Sequence, residues 1–290
     1  MFTRTAHSTS DFPLILGDAV GREVRRAYES APAAVLPASR RRTARDFRPQ
    51  RRNALSAGAG LVETNEGGEV LRGTITEAEE TYSLATFGRV FAITRQAIVN
   101  DDLGAFTDLE ARMGRAAQEL VASKLTGLVV DNPPKSDGLS VFHADHGNLV
   151  GTGAAPSVAE ISGMFQMMRR QTGLAGEPIN VTPRYLIVPP ELEGTARQLA
   201  ATINPTTVSD VNPWRLDVLV EARLTDPAAW YLAADPAVAE GLEHAFLSGA
   251  EGPVVDSRAG FDVDGVEIRV RLDFGAGWID HRGWVRNPGA

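Results

Sequence analysis

Apolar side chains are sparse and aperiodic over residues 1–65, and become periodic only further along the chain. Thr9-Ser10-Asp11 can cap a short helix over about residues 12–28. Pro32, Pro37 and Pro49 then punctuate a stretch that holds the run Arg40-Arg41-Arg42. Such a segment buries little by itself, so the pattern predicts an arm that gains order against a partner. Residues 66–98 read as two strands, 69–75 and 81–94, joined by the acidic tip Thr76-Glu77-Ala78-Glu79-Glu80. The outer part of this hairpin has few large apolar side chains beyond Leu71, Ile75, Tyr82 and Leu84. An isolated two-stranded ribbon is marginal in water, so another subunit is expected to support it.

Asn100-Asp101-Asp102 is a helix N-cap with carboxylates at the positive end of the dipole. A helix over 104–129 follows, with Phe106, Leu109, Met113, Ala117, Leu120, Lys124 and Leu128 on a 3–4 spacing. At ~1.5 Å per residue it is a rod of roughly 35–40 Å. Ser157 caps a further helix to about Thr172, and Tyr185-Leu186-Ile187-Val188 is a buried strand stopped by Pro189-Pro190. A helix over 191–202 and strands over 216–220 and 230–233 come next. Val266, Ile268, Val270 and Leu272 alternate with Glu267, Arg269 and Arg271, and a last strand is expected over 277–286. There is no internal repeat and no glycine-rich phosphate motif.

Charge sharpens this division. The chain of 290 residues carries −8, yet residues 22–52 hold ten arginines against Glu23, Glu29 and Asp46, which makes that segment +7 and the remainder −15. A basic arm on an acidic body can bind nucleic acid or lie across a neighbour's acidic surface. Only Lys124 and Lys135 are lysines among 29 basic residues, so planar, bidentate guanidinium contacts carry the positive charge. The absence of cysteine excludes disulfides and thiolate chemistry. No apolar run approaches the ~20 residues of a membrane span, and the start lacks the apolar core of a secretory signal. A protein kept in the cytoplasm is the expectation.

Catalytic constellations are weak. His143-Ala-Asp-His146 could hold a metal if a further ligand arrived, and a metal-dependent hydrolase using His143 and His146 is the alternative of another class. Two histidines hydrogen-bonding a turn is the plainer reading. Asp101, Asp102 and Glu110 could form an acidic dyad, although capping explains the aspartates. Asp273, Asp280 and His281 form at most a partial triad, and Ser248-Gly249 is no nucleophile elbow. The expectation is a protein that is not an enzyme and needs no metal or cofactor.

The run Phe87-Gly-Arg-Val-Phe-Ala-Ile-Thr-Arg-Gln-Ala-Ile-Val-Asn-Asp-Asp-Leu103 resembles the major capsid proteins of tailed bacteriophages. Within them it is most similar to the Mu-like major head subunit group, which includes members fused to a prohead protease. Leu139-Ser-Val-Phe-His-Ala-Asp-His-Gly-Asn148, Pro183-Arg-Tyr-Leu-Ile-Val-Pro-Pro190, Trp230-Tyr-Leu-Ala-Ala-Asp-Pro236, Asp273-Phe-Gly-Ala-Gly and Arg282-Gly-Trp-Val-Arg-Asn-Pro-Gly-Ala290 carry the likeness over nearly the whole chain. The resemblance implies an α+β fold of the Hong Kong 97 type. It assigns residues 1–65 to an N-terminal arm and 66–98 to an extended E-loop hairpin over an adjacent subunit. Residues 99–153 and 244–272 become a peripheral domain with a spine helix, and 154–243 and 273–290 an axial domain around capsomer centres. The implied function is self-assembly into hexamers and pentamers of an icosahedral shell around double-stranded DNA, assembled in the host cytoplasm. A portal, scaffolding protein, separate prohead protease and decoration protein are the implied further partners. An encapsulin-like nanocompartment shell is the alternative within the fold. Arg40, Arg41, Arg42, Arg45, Glu69, Glu77, Glu79 and Glu80 are the candidate intersubunit contacts. Residues 66–98 contain no lysine, so the isopeptide crosslinking known in this fold is not expected.

Overall fold

The structure, a computed structural model, describes residues 12–30, 33–55, 77–94, 105–174, 176–201, 215–260 and 265–290. Its helices are α1 (Phe12–Ser30), α2 (Ala105–Asp131), α3 (Val158–Arg169) and α4 (Glu193–Ala200). Its strands are β1 (Arg40–Ala44), β2 (Gln50–Leu55), β3 (Glu77–Tyr82), β4 (Ala85–Thr94), β5 (Pro183–Val188), β6 (Asp217–Val220), β7 (Trp230–Ala234), β8 (Leu242–Leu247), β9 (Val254–Gly260), β10 (Gly265–Trp278) and β11 (Trp284–Asn287).

β10 organises the first sheet. One edge pairs with β4 along residues 265–274; the other pairs with β9 along 265–271 and with β8 along 274–278, all antiparallel. β1 adds to β8 in parallel, Arg40 opposite Glu243. The expected alternation holds: Ile268, Val270 and Leu272 are buried, while Arg269 is exposed. Val24 of α1 and Met113 of α2 cover Ile268 and Val270. The two helices meet at Gly114, where a Cβ would stand 2.3 Å from the Val24 carbonyl oxygen and 2.7 Å from Ala27 Cβ. Only glycine admits α1 at that approach.

The second sheet runs β11-β7-β5-β6, and only β5 and β6 are parallel. Both of its faces are buried, which is why residues 185–188 read as a continuous apolar run. Tyr185, Ile187, Tyr231 and Ala233 face a core shared with Val121, Leu125 and Val129 of α2 and with Phe246, Phe274 and Trp278. Leu186, Val188, Trp230 and Leu232 face Ile161, Met164, Phe165 and Met168 of α3. Ser157 caps α3 as expected, its hydroxyl accepting from the Glu160 amide at 3.2 Å.

Four expectations are corrected. Residues 33–55 gain order within their own chain: Val35 and Ala38 are 1% exposed in the main core, and β1 completes the first sheet. Glu77–Tyr82 pairs with Gln50–Leu55, so the acidic stretch expected as a hairpin tip is strand, and the expected partner at 69–75 lies outside the described residues. The second strand also breaks at Ser83-Leu84. Met113 is buried as expected, but from Gln118 onward the buried face of α2 is Gln118, Val121, Ala122, Leu125, Thr126 and Val129, one step round from the expected stripe. Ala117, Leu120 and Leu128 are half-buried and Lys124 is exposed, because α2 packs against α1 early and between the sheets later. The expected C-terminal strand is two strands, since β10 runs through Gly277 and the chain turns before β11.

Candidate intersubunit surface

β2 and β3 form a two-stranded ribbon that belongs to neither large sheet. It is fixed at its base by Glu243 of β8, whose side chain is 3% exposed. Glu243 Oε1 accepts from Arg52 Nε of β2 at 2.8 Å and from the Tyr82 hydroxyl of β3 at 2.7 Å. Its Oε2 accepts from Arg42 Nε of β1 at 3.3 Å. One buried carboxylate thus ties both ribbon strands to the sheet, with guanidinium charge to offset its desolvation. Burial raises the Tyr82 phenol well above its ordinary range, and the hydrogen bond and charge of Glu243 push the same way.

Two glycines let the ribbon leave. Where β3 passes into β4 it crosses the end of β10, and a Cβ on Gly275 would lie 2.5 Å from the Ser83 carbonyl oxygen. A Cβ on Gly277 would lie 2.7 Å from Tyr82 Cβ. Lower on the same face, Glu80 receives Lys135 Nζ at 3.1 Å and the Ser136 hydroxyl at 2.8 Å. Lys135 also donates to the Ile279 carbonyl at 3.2 Å. On the outer face Arg51 and Glu79 form an exposed pair at 3.2 Å.

Five of the eight candidate contact residues are engaged inside the chain, Glu79 among them through Arg51. Arg40 pairs with Glu240 at 2.9 Å, Arg41 with Glu251 at 3.0 Å, Arg42 with Glu243 and Glu80 with Lys135. Arg45 and Glu79 are exposed. Glu69, Asp101 and Asp102 lie outside the described residues, as do the side chains of Glu77 and Glu110. Glu243, Arg52 and Gly275, which hold the ribbon, were missed by sequence reasoning; only the Gly-Ala-Gly spacing in a strand signalled a close backbone approach.

The histidine cluster is a structural junction. His143 Nδ1 accepts from the Asp145 amide at 3.2 Å, and His146 contacts the Val141 carbonyl at 3.0 Å and Asp137 at 2.9 Å. His146 stacks on His281 with ring centres 3.9 Å apart and planes at 7°. Burial, with His146, Arg282 and Lys135 nearby, pushes His281 down to about 4 against the pull of Asp280. Among the described residues no group of three His, Cys, Asp or Glu could hold a metal ion. The Asp273 carboxylate accepts from the Thr86 hydroxyl at 2.7 Å, and that of Asp280 from Arg282 at 2.9 Å. Among the described residues no helix is long and apolar enough to cross a membrane.

A family model described as phage capsid protein matches residues 77–287, from the start of β3 to the end of β11. No curated protein matches the chain. Among solved structures, the capsid of cyanophage P-SCSP1u is similar with a TM-score of 0.61 at 9% identity, covering 88% of each chain. The procapsid of bacteriophage JBD30 is similar with a TM-score of 0.54 at 17% identity, covering 96% of this chain and 75% of that one. A virus-like particle from Pyrococcus furiosus gives 0.50 at 12% identity, covering 93% and 98%. At such identities the likeness is one of fold, and it extends the match of residues 77–287 toward the N-terminal segment.

Proposed function

Because the chain belongs to the phage capsid protein family, we propose that it is the major subunit of a tailed-phage head, and that its copies form hexamers and pentamers of an icosahedral shell around double-stranded DNA. The observation that carries the mechanism is the β2–β3 ribbon: it pairs with neither large sheet, yet a buried carboxylate and two close-approach glycines hold its base. A rigid base with an unsupported outer face suits a strap laid over an adjacent subunit. In this reading each contact is weak, and each subunit makes several, so the closed shell gains stability by multivalency. Arg45, Glu69, Glu77 and Glu79 are the proposed strap and arm contacts, whereas Arg40, Arg41, Arg42 and Glu80 brace the subunit itself. The Hong Kong 97 division into arm, E-loop, peripheral and axial domains, and a place in the Mu-like head subunit group, complete the proposal. Portal, scaffolding protein, a separate protease and a decoration protein are its proposed partners in the host cytoplasm.

Electron microscopy of the purified chain tests this directly. Closed particles with capsomers are expected, and a monodisperse small particle under all assembly conditions refutes the reading. Particles filled with protein cargo rather than DNA would refute the DNA part alone.

A further inference from the structure

The ribbon base has a second brace besides Glu243. Glu80 of β3 receives Lys135 Nζ at 3.1 Å, the Ser136 hydroxyl at 2.8 Å and the Ser136 amide at 3.1 Å. Lys135 and Ser136 share one tight turn with Asp137 and Gly138: the Gly138 amide donates to the Lys135 carbonyl at 2.9 Å, and Gly138 has a φ of 82°. Asp137, the third residue of that turn, is gripped by His146 Nε2 at 2.9 Å. His146 Nδ1 stands 3.0 Å from the Val141 carbonyl oxygen, and the His146 side chain is 7% exposed. Carbonyl and carboxylate oxygens only accept, so both contacts are satisfied together only when both ring nitrogens carry hydrogen. That arrangement belongs to the imidazolium. Burial raises the Asp137 carboxyl, but the Leu139 amide and His146 outweigh it and hold the group below its ordinary range, so Asp137 is the anion. His281, stacked on His146, is the neutral ring. Its Nδ1 is buried and makes no hydrogen bond among the described residues. Asp280 Oδ1 stands 3.8 Å from that nitrogen, beyond hydrogen-bond reach, and accepts instead from Arg282 at 3.1 Å. Two imidazolium rings with centres 3.9 Å apart would repel, so the stack holds one charge.

We propose that His146 is a proton-gated latch on the ribbon: as the imidazolium it clamps the Lys135-Ser136-Asp137 turn that braces β3, and losing its proton lets that turn and Glu80 part. A neutral imidazole has one donor, so deprotonation breaks the Asp137 or the Val141 contact and sets a lone pair against an oxygen. The His146 side chain is too buried for water to relieve that clash. The latched state thus binds one proton more than the open state, and rising pH favours opening. The charged groups around the pair are Lys135 on the turn, Glu80 on β3, Asp280 and Arg282 after β10, and Asp145, which pairs with His143 at 3.5 Å. His143 stands edge-on to His146 with ring centres 6.2 Å apart. Gln171, beyond α3, adds only neutral bonds to the His146 and Gly147 carbonyls. The latch is a property of the single subunit, and only its consequence for a strap over a neighbour rests on the shell reading.

The test follows amide hydrogen exchange of the full chain by mass spectrometry between about pH 5.5 and about pH 8.5, either side of the ordinary histidine range. Rates are expressed as protection, so that the intrinsic pH dependence of exchange cancels. Residues 77–82 and 134–140 are expected to lose protection about tenfold or more as pH rises, while β5 and β7 keep theirs. His146→Gln should show low protection there at every pH in the window. Asp137→Asn, which keeps an acceptor but removes the charge, should move the transition to lower pH. His143→Gln should keep the wild-type profile. A wild-type profile that is flat or rises with pH overturns the latch, as do a wild-type profile in His146→Gln, its loss in His143→Gln, or an unmoved transition in Asp137→Asn. Should His146→Gln fail to fold, the wild-type and Asp137→Asn profiles decide the matter. Particle formation is read separately by microscopy and bears on the shell reading alone.

Discussion

Removing the Glu243 carboxylate should free the ribbon without unfolding the subunit. Three hydrogen bonds meet there, from Arg42, Arg52 and Tyr82. Hydrogen bonds to a charged group contribute about 1.5–3 kcal/mol each when buried. The two guanidinium groups are 40% and 32% exposed, so both recover hydration once released and their share must be discounted. The Tyr82 hydroxyl is not so placed, since Tyr82 is 7% exposed and would keep a donor without an acceptor. The net cost of Glu243→Ala is therefore about 3 kcal/mol, and that of the isosteric Glu243→Gln about half, since Gln retains one acceptor oxygen. At about 1.4 kcal/mol per tenfold, the opening constant of the ribbon should rise about a hundredfold in the Ala variant. Amide hydrogen exchange read by mass spectrometry locates the effect. Residues 50–55 and 77–82 should exchange faster, while β5 and β7 keep their protection. Unchanged exchange in the ribbon, or uniform acceleration through both sheets, would show that Glu243 does not anchor it.

Three further outcomes are expected. Gly275→Ala should lower thermal stability by about 2–3 kcal/mol, because the new Cβ meets backbone at Ser83 that cannot yield; a melting temperature within error of the parent would contradict the crossing geometry. Burial, with the Arg41 cation adding and Glu243 opposing, pushes the His244 imidazole down to about 4, so the unfolded chain binds the proton more readily. Stability should fall as pH drops from about 6.5 toward 4, by about 3 kcal/mol from this group, and denaturant titrations of His244→Gln should show a flatter slope in that window. Glu80→Lys places a second ammonium beside Lys135, which is 8% exposed, whereas Glu79 faces water. The Glu80 change should destabilise the isolated subunit by about 2–4 kcal/mol, and Glu79→Lys by less than about 1. Glu79→Lys should lower instead the melting temperature of assembled particles, and equal effects of both on the subunit would contradict the division of roles.

What could be read from the residues alone depended on whether the pattern that encodes an element is local. The 3–4 spacing of α2, the alternation along β10 and the capping serine of α3 are each carried by neighbours in sequence, and those elements stand within a few residues of expectation. β1 is the opposite case. Arg-Arg-Arg-Thr-Ala has no strand signature until Glu240, Glu251 and Glu243, about two hundred residues on, supply the carboxylates that let three arginines lie in a sheet. Local hydropathy therefore assigned to a partner subunit what the chain's own β8 provides. The same non-locality moved the ribbon: Glu77–Tyr82 alternates equally well for either neighbour, and register against Gln50–Leu55 is decided where Arg52 and Tyr82 converge on Glu243. A basic run is thus poor grounds for predicting an external contact in a chain with this many acids, because pairing within the fold comes first.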